Sequence, residues 1–248
     1  MPAFFIFVIQ FNKMELFFCK DVDLLSFDLP ENEAHHAVQV LRYQNGDDIL
    51  ITNGQGSFFN CKIIFTSKKK CTVQVLSEEK VAINKSKITL AIAPTKSRER
   101  MEWCLEKATE IGVNEIQFIQ TQYSEKWNVA NDRFEKVLIS AIKQSGQAWL
   151  PKLNSIISFE KFIQDSKGNT QNFICHNLDN SSSQILNVAT KHDSTIIAIG
   201  PEGGFSDKEI QYAVSNNFKC VLLGNNRLRT ETAAITALSI LQQINVQP

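Results

Sequence analysis

Neither sign of charge is in excess in this chain: 26 Lys and Arg are matched by 26 Asp and Glu over 248 residues, for a formal net charge of zero. No global field therefore draws the protein onto nucleic acid or an anionic membrane, and any cationic site has to be a local patch. The six cysteines, Cys19, Cys61, Cys71, Cys104, Cys175 and Cys220, include no C-x-x-C pair, and the four histidines do not fall at ligand spacing with them. That pattern excludes a zinc module and reads as reduced thiols in a cytoplasmic protein that holds no metal. Long hydrophobic runs are missing too. The opening MPAFFIFVIQFNKMELFF is too short for a membrane span and lacks the basic start and small-residue cleavage site of a secretory signal. Met14 begins a more ordinary strand-like stretch, and residues 1–13 are expected to be an upstream extension of the reading frame or a floppy arm. Neither G-x-x-x-x-G-K-[ST] nor G-x-G-x-x-G occurs, so a P-loop or a standard dinucleotide fingerprint has no support.

What is present is apolar and ordered in two grammars. At 43% hydrophobic residues the chain can bury a substantial core, and its length suits a small domain joined to a larger one. From 14 to 80, DDILITN, SFFNCKIIFTS and CTVQVLS alternate with period two between Gly, Asn and Lys punctuation, predicting a small antiparallel barrel or sheet. One helical piece interrupts it: Pro30 opens ENEAHHAVQVLR, with Ala34, Val38 and Leu41 expected on one side. Residues 80–87 are polar and serve as a candidate linker.

From 81 to 248 the pattern changes. ITLAIAP, EIQFIQ, NFICH, STIIAIG and CVLLG are apolar runs of buried-strand type, separated by helical stretches over 98–111, over DRFEKVLISAIKQSG, after DNSSS, from Ser206 and from about 231 to 243. Strands alternating with helices predict a parallel sheet covered on both faces, the α/β class. Ligands in such sheets bind outside the carboxyl ends of the strands. Two loops there stand out. IGPEGGFSDKEI enters its helix through Ser206, with Glu209 three residues on to close a capping box, and Gly203 and Gly204 allow backbone turns and close ligand approach. In LGNNRLRTETAA, Arg227 and Arg229 stand either to grip a substrate or to pair with Glu202 and Glu231.

Taken in order and spacing, RERMEWCLEKATEIGVNEIQ, IGPEGGFSDKEI and LGNNRLRTETAA resemble the small-subunit ribosomal RNA methyltransferase E family of the knotted SPOUT methyltransferases. HAVQVLR, from His36 to Arg42, and ITNGQGSFFNCKI resemble that family's PUA-like RNA-binding barrel, so the likeness runs from Met14 to the carboxyl end. It implies a PUA-like domain over 14–80 and a SPOUT domain with a trefoil knot over 81–248, a homodimer, S-adenosylmethionine (SAM) as methyl donor, and transfer to N3 of a uridine in 16S rRNA within the small ribosomal subunit.

On that resemblance, the cofactor is expected against Ile199, Gly200, Pro201, Glu202, Gly203 and Gly204, against Leu223, Gly224, Asn225 and Leu228, and beside His176, Thr230 and Thr232. Because neighbouring side chains of an extended loop point to opposite sides, Leu228 is expected inward and Arg227 and Arg229 outward, with Arg229 inside LRTETA as the functional arginine. N3 of uracil must lose a proton as the methyl arrives. Arg229 is expected to stabilise the charge developing on the flanking carbonyl oxygens, while Glu202 either takes the proton or orients its loop. Arg42, Lys68, Lys69, Lys70, Lys96, Arg98, Arg100 and Arg227 are the candidates for gripping RNA. His36 is expected to pack or cap, and Cys175 to be core. One stretch departs from the family pattern: AIKQSGQAWLP has Lys143, Ala148 and Trp149 where an acid and a base are usual, which leaves Trp149 to stack on a base or pack at a dimer face. Two other readings stand beside the leading one: a methyltransferase acting on another RNA or on ribose 2′-OH, and a noncatalytic ribosome-assembly factor.

Overall fold

The structure, a computed structural model, describes residues 15–83, 86–125, 131–166, 171–176 and 182–246. The extension expected over residues 1–13 lies outside them, as does Met14, while the helix expected after DNSSS is found within them as the short Ile185–Val188 helix. The chain divides into two compact units: one runs to Val81 and takes in Gly146–Ala148, and the other holds Ala82–Ser145 and the chain from Trp149 on.

In the first unit β1 (Leu16–Phe18), β2 (Ser26–Asp28), β3 (Asp48–Thr52), β4 (Ser57–Thr66) and β5 (Cys71–Lys80) form one sheet in the order β1-β3-β4-β5-β2. β1 runs parallel to β3 and the other pairs are antiparallel. The period-two pattern puts Ile49, Ile51, Phe59, Cys61, Ile63 and Val73 on one buried face with Phe17. Among the described residues the ladder does not close, so the expected barrel or sheet is an open sheet edged by β1 and β2.

The helical piece, α1 (Glu31–His35), widens into a π turn over His36–Val40, with Leu41 N donating to His36 O at 3.0 Å. The wide turn shifts the helical phase of the residues after it. Ala34 and Ala37 are buried, Val38 is half-buried, and Leu41, expected on the same face, is 38% exposed. Tyr43 N then reaches back to Ala37 O at 3.0 Å, which leaves Arg42 at φ +61° in the left-handed slot that glycine usually fills after a helix. Arg42→Gly is therefore expected to stabilise the fold by about 1 kcal/mol, read as a rise in the urea midpoint.

The second unit strings together β6 (Ile88–Ile92), α2 (Arg98–Ile111), β7 (Glu115–Gln120), α3 (Asn131–Ser145), β8 (Lys152–Ser158), α4 (Phe159–Asp165), β9 (Gln171–Cys175), β10 (Ser183–Gln184), α5 (Ile185–Val188), β11 (Thr195–Ile199), α6 (Asp207–Ser215), β12 (Lys219–Leu222) and α7 (Thr230–Val246). All seven strands are parallel, in the order β10-β12-β9-β11-β6-β7-β8. Both faces are covered, which is why the central strands are continuously apolar. Leu90, Ile92, Ile197 and Ile199 pack under α2, α3 and α7 through Met101, Leu105, Leu138 and Leu238. The intervening Ala91, Ala93 and Ala198 meet Phe159, Phe162, Phe205 and Ile210 on the other face.

β8 and α4 carry no strong apolar run and were not foreseen; among the described residues β8 is an edge strand, paired only with β7, and none of its residues is fully buried. Among the described residues no helix is long and apolar enough to cross a membrane.

Burial pushes the thiols of Cys61 and Cys104 up to about 12 and that of Cys71 up to about 11. In the unfolded chain these thiols ionise near their ordinary value of 9.0, so between there and the folded values the native state holds more protons. Stability from this source is therefore intact below pH 9 and declines above it, by up to about 1.4 kcal/mol per thiol and pH unit. Urea midpoints that fall steeply above about pH 9, and fall less in Cys104→Ala, are the expected result.

Candidate functional site

Two loops at the carboxyl ends of β11 and β12 come together. In the first, Gly204 N donates to Pro201 O at 2.8 Å, closing a turn that ends with Gly204 at φ +74°, where glycine is the favoured residue. Gly200 and Gly203 are glycine for another reason. A Cβ on Gly200 would stand 3.1 Å from the Phe205 ring, and one on Gly203 would stand 3.0 Å from Cβ of Tyr123. The Gly203 position is thus fixed by the Tyr123 side chain, and the expected ligand approach is left to the turn at Gly204.

Ser206 caps α6 as foreseen: Ser206 Oγ accepts from Glu209 N, while Glu209 Oε2 accepts from Ser206 N at 2.8 Å. The other carboxylate oxygen of this buried side chain accepts from Gln122 N at 2.8 Å, tying the loop after β7 to the glycine loop.

The second loop leaves β12 through Gly224 at φ +145° and enters α7 at Thr230. Thr230 Oγ1 donates to Gly200 O at 3.0 Å, and Arg227 Nη2 donates to Glu202 O at 3.1 Å. Arg227 therefore binds the main chain of Glu202, where pairing with its carboxylate was one of the readings. The two loops so joined enclose a cavity of about 210 Å3, lined by Cys175, Ile199, Gly200, Pro201, Glu202, Gly203, Gly204, Arg227, Leu228, Thr230 and Ala233. Apart from Glu202 and Arg227 the lining is uncharged, and most of it is main chain and small side chains.

The expected alternation holds for Leu228 and Arg229. Leu228 and Thr230 line that cavity, whereas Arg229, Glu231 and Thr232 line a second recess of about 380 Å3 with Glu99, Arg100 and Trp103 of α2. Arg227 departs from it, lining the first cavity beside Leu228. Glu231 is buried and pairs with Arg100 Nε at 3.8 Å, so the acid nearest to Arg229 in sequence is engaged by another arginine.

The remaining expected residues fall in several places. Cys175, read as core, packs against the core and also lines the first cavity; His176 is half-buried, is not among its lining residues, and donates its main-chain N–H to Val221 O at 3.3 Å. Leu223, Gly224 and Asn225 lie on the approach to the second loop without lining either cavity, and Thr232 belongs to the recess. Lys96 pairs with Glu125 at 3.5 Å, and Arg98 is exposed at the start of α2. In the first unit Lys68 and Lys69 are exposed at the tip of the β4–β5 turn, which closes from Ser67 N to Lys70 O at 2.8 Å, and Lys70 pairs with Asp28 at 2.9 Å. Among the described residues no group of three or more His, Cys, Asp or Glu is placed to hold a metal.

Trp103 was not foreseen, although its spacing marks it. Met101, Cys104, Leu105 and Ala108 form the buried face of α2 and position 103 falls off it, leaving the indole 45% exposed.

A family model described as an RNA methyltransferase domain matches residues 82–242, and one described as an RNA methyltransferase PUA domain matches residues 29–76. The chain is 31% identical over 219 residues to the ribosomal RNA small subunit methyltransferase E of Mesomycoplasma hyopneumoniae, covering 86% of this chain and 93% of that protein. Among solved structures, a probable rRNA-methyltransferase from Porphyromonas gingivalis superposes with a TM-score of 0.89 at 37% identity, over 94% of this chain and 98% of that one. The ribosomal RNA small subunit methyltransferase E of Neisseria gonorrhoeae, solved bound to S-adenosyl methionine, superposes with a TM-score of 0.84 at 26% identity and the same coverage.

Proposed function

We propose, because the chain belongs to the ribosomal RNA small subunit methyltransferase E family, that it transfers a methyl group from SAM to N3 of a uridine in 16S rRNA, acting on the assembled small subunit. The observation that carries this reading is the cavity between the loops after β11 and β12, with main chain, small residues and one aliphatic wall where an uncharged adenine has to be held. The main chain of Ile199–Gly204 and the side chain of Leu228 would hold the adenine. Thr230 and the unpaired N–H groups in the first turn of α7 would receive the methionine end. The cofactor supplies a methyl group already activated on a sulfonium, so the protein's own task is positioning and charge.

On the uracil side N3 gives up its proton, and the negative charge spreads onto the two flanking carbonyl oxygens. Arg229, exposed and outside the cofactor cavity, is the cation for those oxygens. Glu202 is the carboxylate within the cavity wall, and its loop is held through its main chain by Arg227, which leaves the carboxylate as the candidate acceptor for the N3 proton. Arg42, Lys68 and Lys69, exposed on the first unit, are the proposed backbone contacts to RNA.

The working enzyme is a cytoplasmic homodimer in this reading, and its carboxyl-terminal chain is knotted. The strand order supports the knot: β11 runs between β6 and β9, and β12 between β9 and β10, so both late strands are inserted between neighbours. The test is tritium transfer from labelled SAM to small subunits that lack the modification, beside free 16S rRNA, followed by nucleoside mass spectrometry. Labelled N3-methyluridine on assembled subunits is the expected result. SAM binding without label sends the activity to another RNA or to ribose 2′-OH, and neither label nor SAM binding leaves a noncatalytic assembly factor.

A further inference from the structure

The recess beside the cofactor cavity has a composition that its neighbours do not require. Its walls are Glu99, Arg100 and Trp103 from the first two turns of α2, and Arg229, Glu231 and Thr232 from the entry to α7. Arg100 and Glu231 offset each other's charge at 3.8 Å, and Glu231 is held with 10% of its side chain exposed. Arg229 forms no ion pair among the described residues and is exposed on the rim. Trp103 presents a half-exposed indole.

Three classes of occupant can be weighed against this chemistry. A free phosphate or a run of phosphates needs converging cations, and here one arginine is already neutralised and two carboxylates share the wall. The centre of a protein interface is depleted in charge, whereas four of the six lining residues are charged. A flat, uncharged ring with hydrogen-bonding edges suits the recess: its face on the indole and its carbonyl oxygens toward the Arg229 guanidinium. The volume, about 380 Å3, is of the size that ligand pockets have.

We infer that this recess receives an unpaired uracil base of the substrate RNA, stacked on Trp103 with its carbonyl edge toward Arg229. The inference rests on the methyltransferase reading and deepens it. The segment from Leu228 to Thr232 is the wall common to both spaces, Leu228 and Thr230 lining the cofactor cavity while Arg229, Glu231 and Thr232 line the recess. Arg100, fixed by Glu231, holds the α2 side of the recess to the start of α7. Trp103 is a binding residue in this account and takes no part in proton or methyl transfer.

The test uses the full-length chain and a short single-stranded oligouridylate, with an abasic oligonucleotide of the same length as control, titrated into wild type, Trp103→Ala and Trp103→Phe. Loss of one base-stacking contact is expected to weaken oligouridylate binding about tenfold in Trp103→Ala, while Trp103→Phe keeps most of the affinity and abasic binding does not respond. Unchanged oligouridylate affinity in Trp103→Ala overturns the inference, as does an equal loss for the abasic strand. A shift from dimer to monomer on sedimentation, with affinity per protomer retained, also overturns it and assigns the recess to a second copy of the chain. SAM titration of the same proteins separates the two readings, because a wild type that fails to bind SAM removes the methyltransferase reading while the oligonucleotide series still decides the recess.

Discussion

Arg229→Ala is expected to lower the single-turnover rate of methyl transfer by roughly 100-fold or more while changing SAM affinity by no more than about twofold. The split arises from where the residue sits. Leu228 and Thr230 line the cavity between the loops after β11 and β12, but Arg229 between them lines the recess. Its removal takes nothing from the walls of that cavity, where the proposed function seats SAM, and takes away the cation that the proposal sets against the uracil carbonyl oxygens. Arg229→Lys keeps the charge but gives up the planar fork that spans two acceptors, so it is expected to recover part of the rate. Calorimetry with SAM and tritium transfer to small subunits supply the two numbers. A parallel fall in SAM affinity and rate would place Arg229 in the cofactor site and remove its role toward the uracil.

The placement of Leu228 and Arg229 on opposite sides was legible in the sequence, because period-two alternation along an extended loop is a local property. Leu228 inward and Arg229 outward could be read from LGNNRLRTETAA and are found so. The apolar strands β6, β9 and β11 were legible for a similar reason: a strand buried on both faces has no choice of residue type. The capping box at Ser206 is likewise a matter of three residues of spacing.

What escaped depends on partners distant in the chain. β8 is a half-covered edge strand whose residues obey no strong pattern. Leu41 was misplaced because a π turn is set by which backbone carbonyl the packed helix offers, and that changes the phase without a sequence mark. Gly203 was read as room for a ligand, whereas its neighbour is Tyr123, 80 positions earlier by number. An acid was one of the partners open to Arg227, which is found on a carbonyl oxygen, since a guanidinium donates to whichever acceptor the fold brings near.

The largest effect on stability is expected at Glu209, which is far more than a helix cap. This buried carboxylate accepts three hydrogen bonds: from Ser206 N at 2.8 Å, from Ser206 Oγ at 2.9 Å, and from Gln122 N at 2.8 Å. Two of the donors are backbone N–H groups beside a packed core that includes Phe205 and Ile210. Glu209→Ala strands them both, at a cost of about 2–4 kcal/mol. Ser206→Ala, which loses the hydroxyl and leaves both N–H groups their acceptor, is expected to cost about 1 kcal/mol. Urea denaturation checks both values.

The bond to Gln122 carries a further consequence, because Tyr123 is the next residue and lies on Gly203. If Glu209 holds the loop after β7 in place, Tyr123→Ala should cost less in a Glu209→Gln background than in wild type, with a coupling of about 1 kcal/mol in stability and a matching non-additivity in SAM affinity. Additive effects would mean that Glu209 serves α6 alone and that Tyr123 reaches the glycine loop by packing without its help. The same cycle with Ser206→Ala in place of Glu209→Gln is expected to be additive, since among the described residues the Ser206 hydroxyl bonds only the carboxylate and the main-chain amide of Glu209, and leaves Gln122 N untouched.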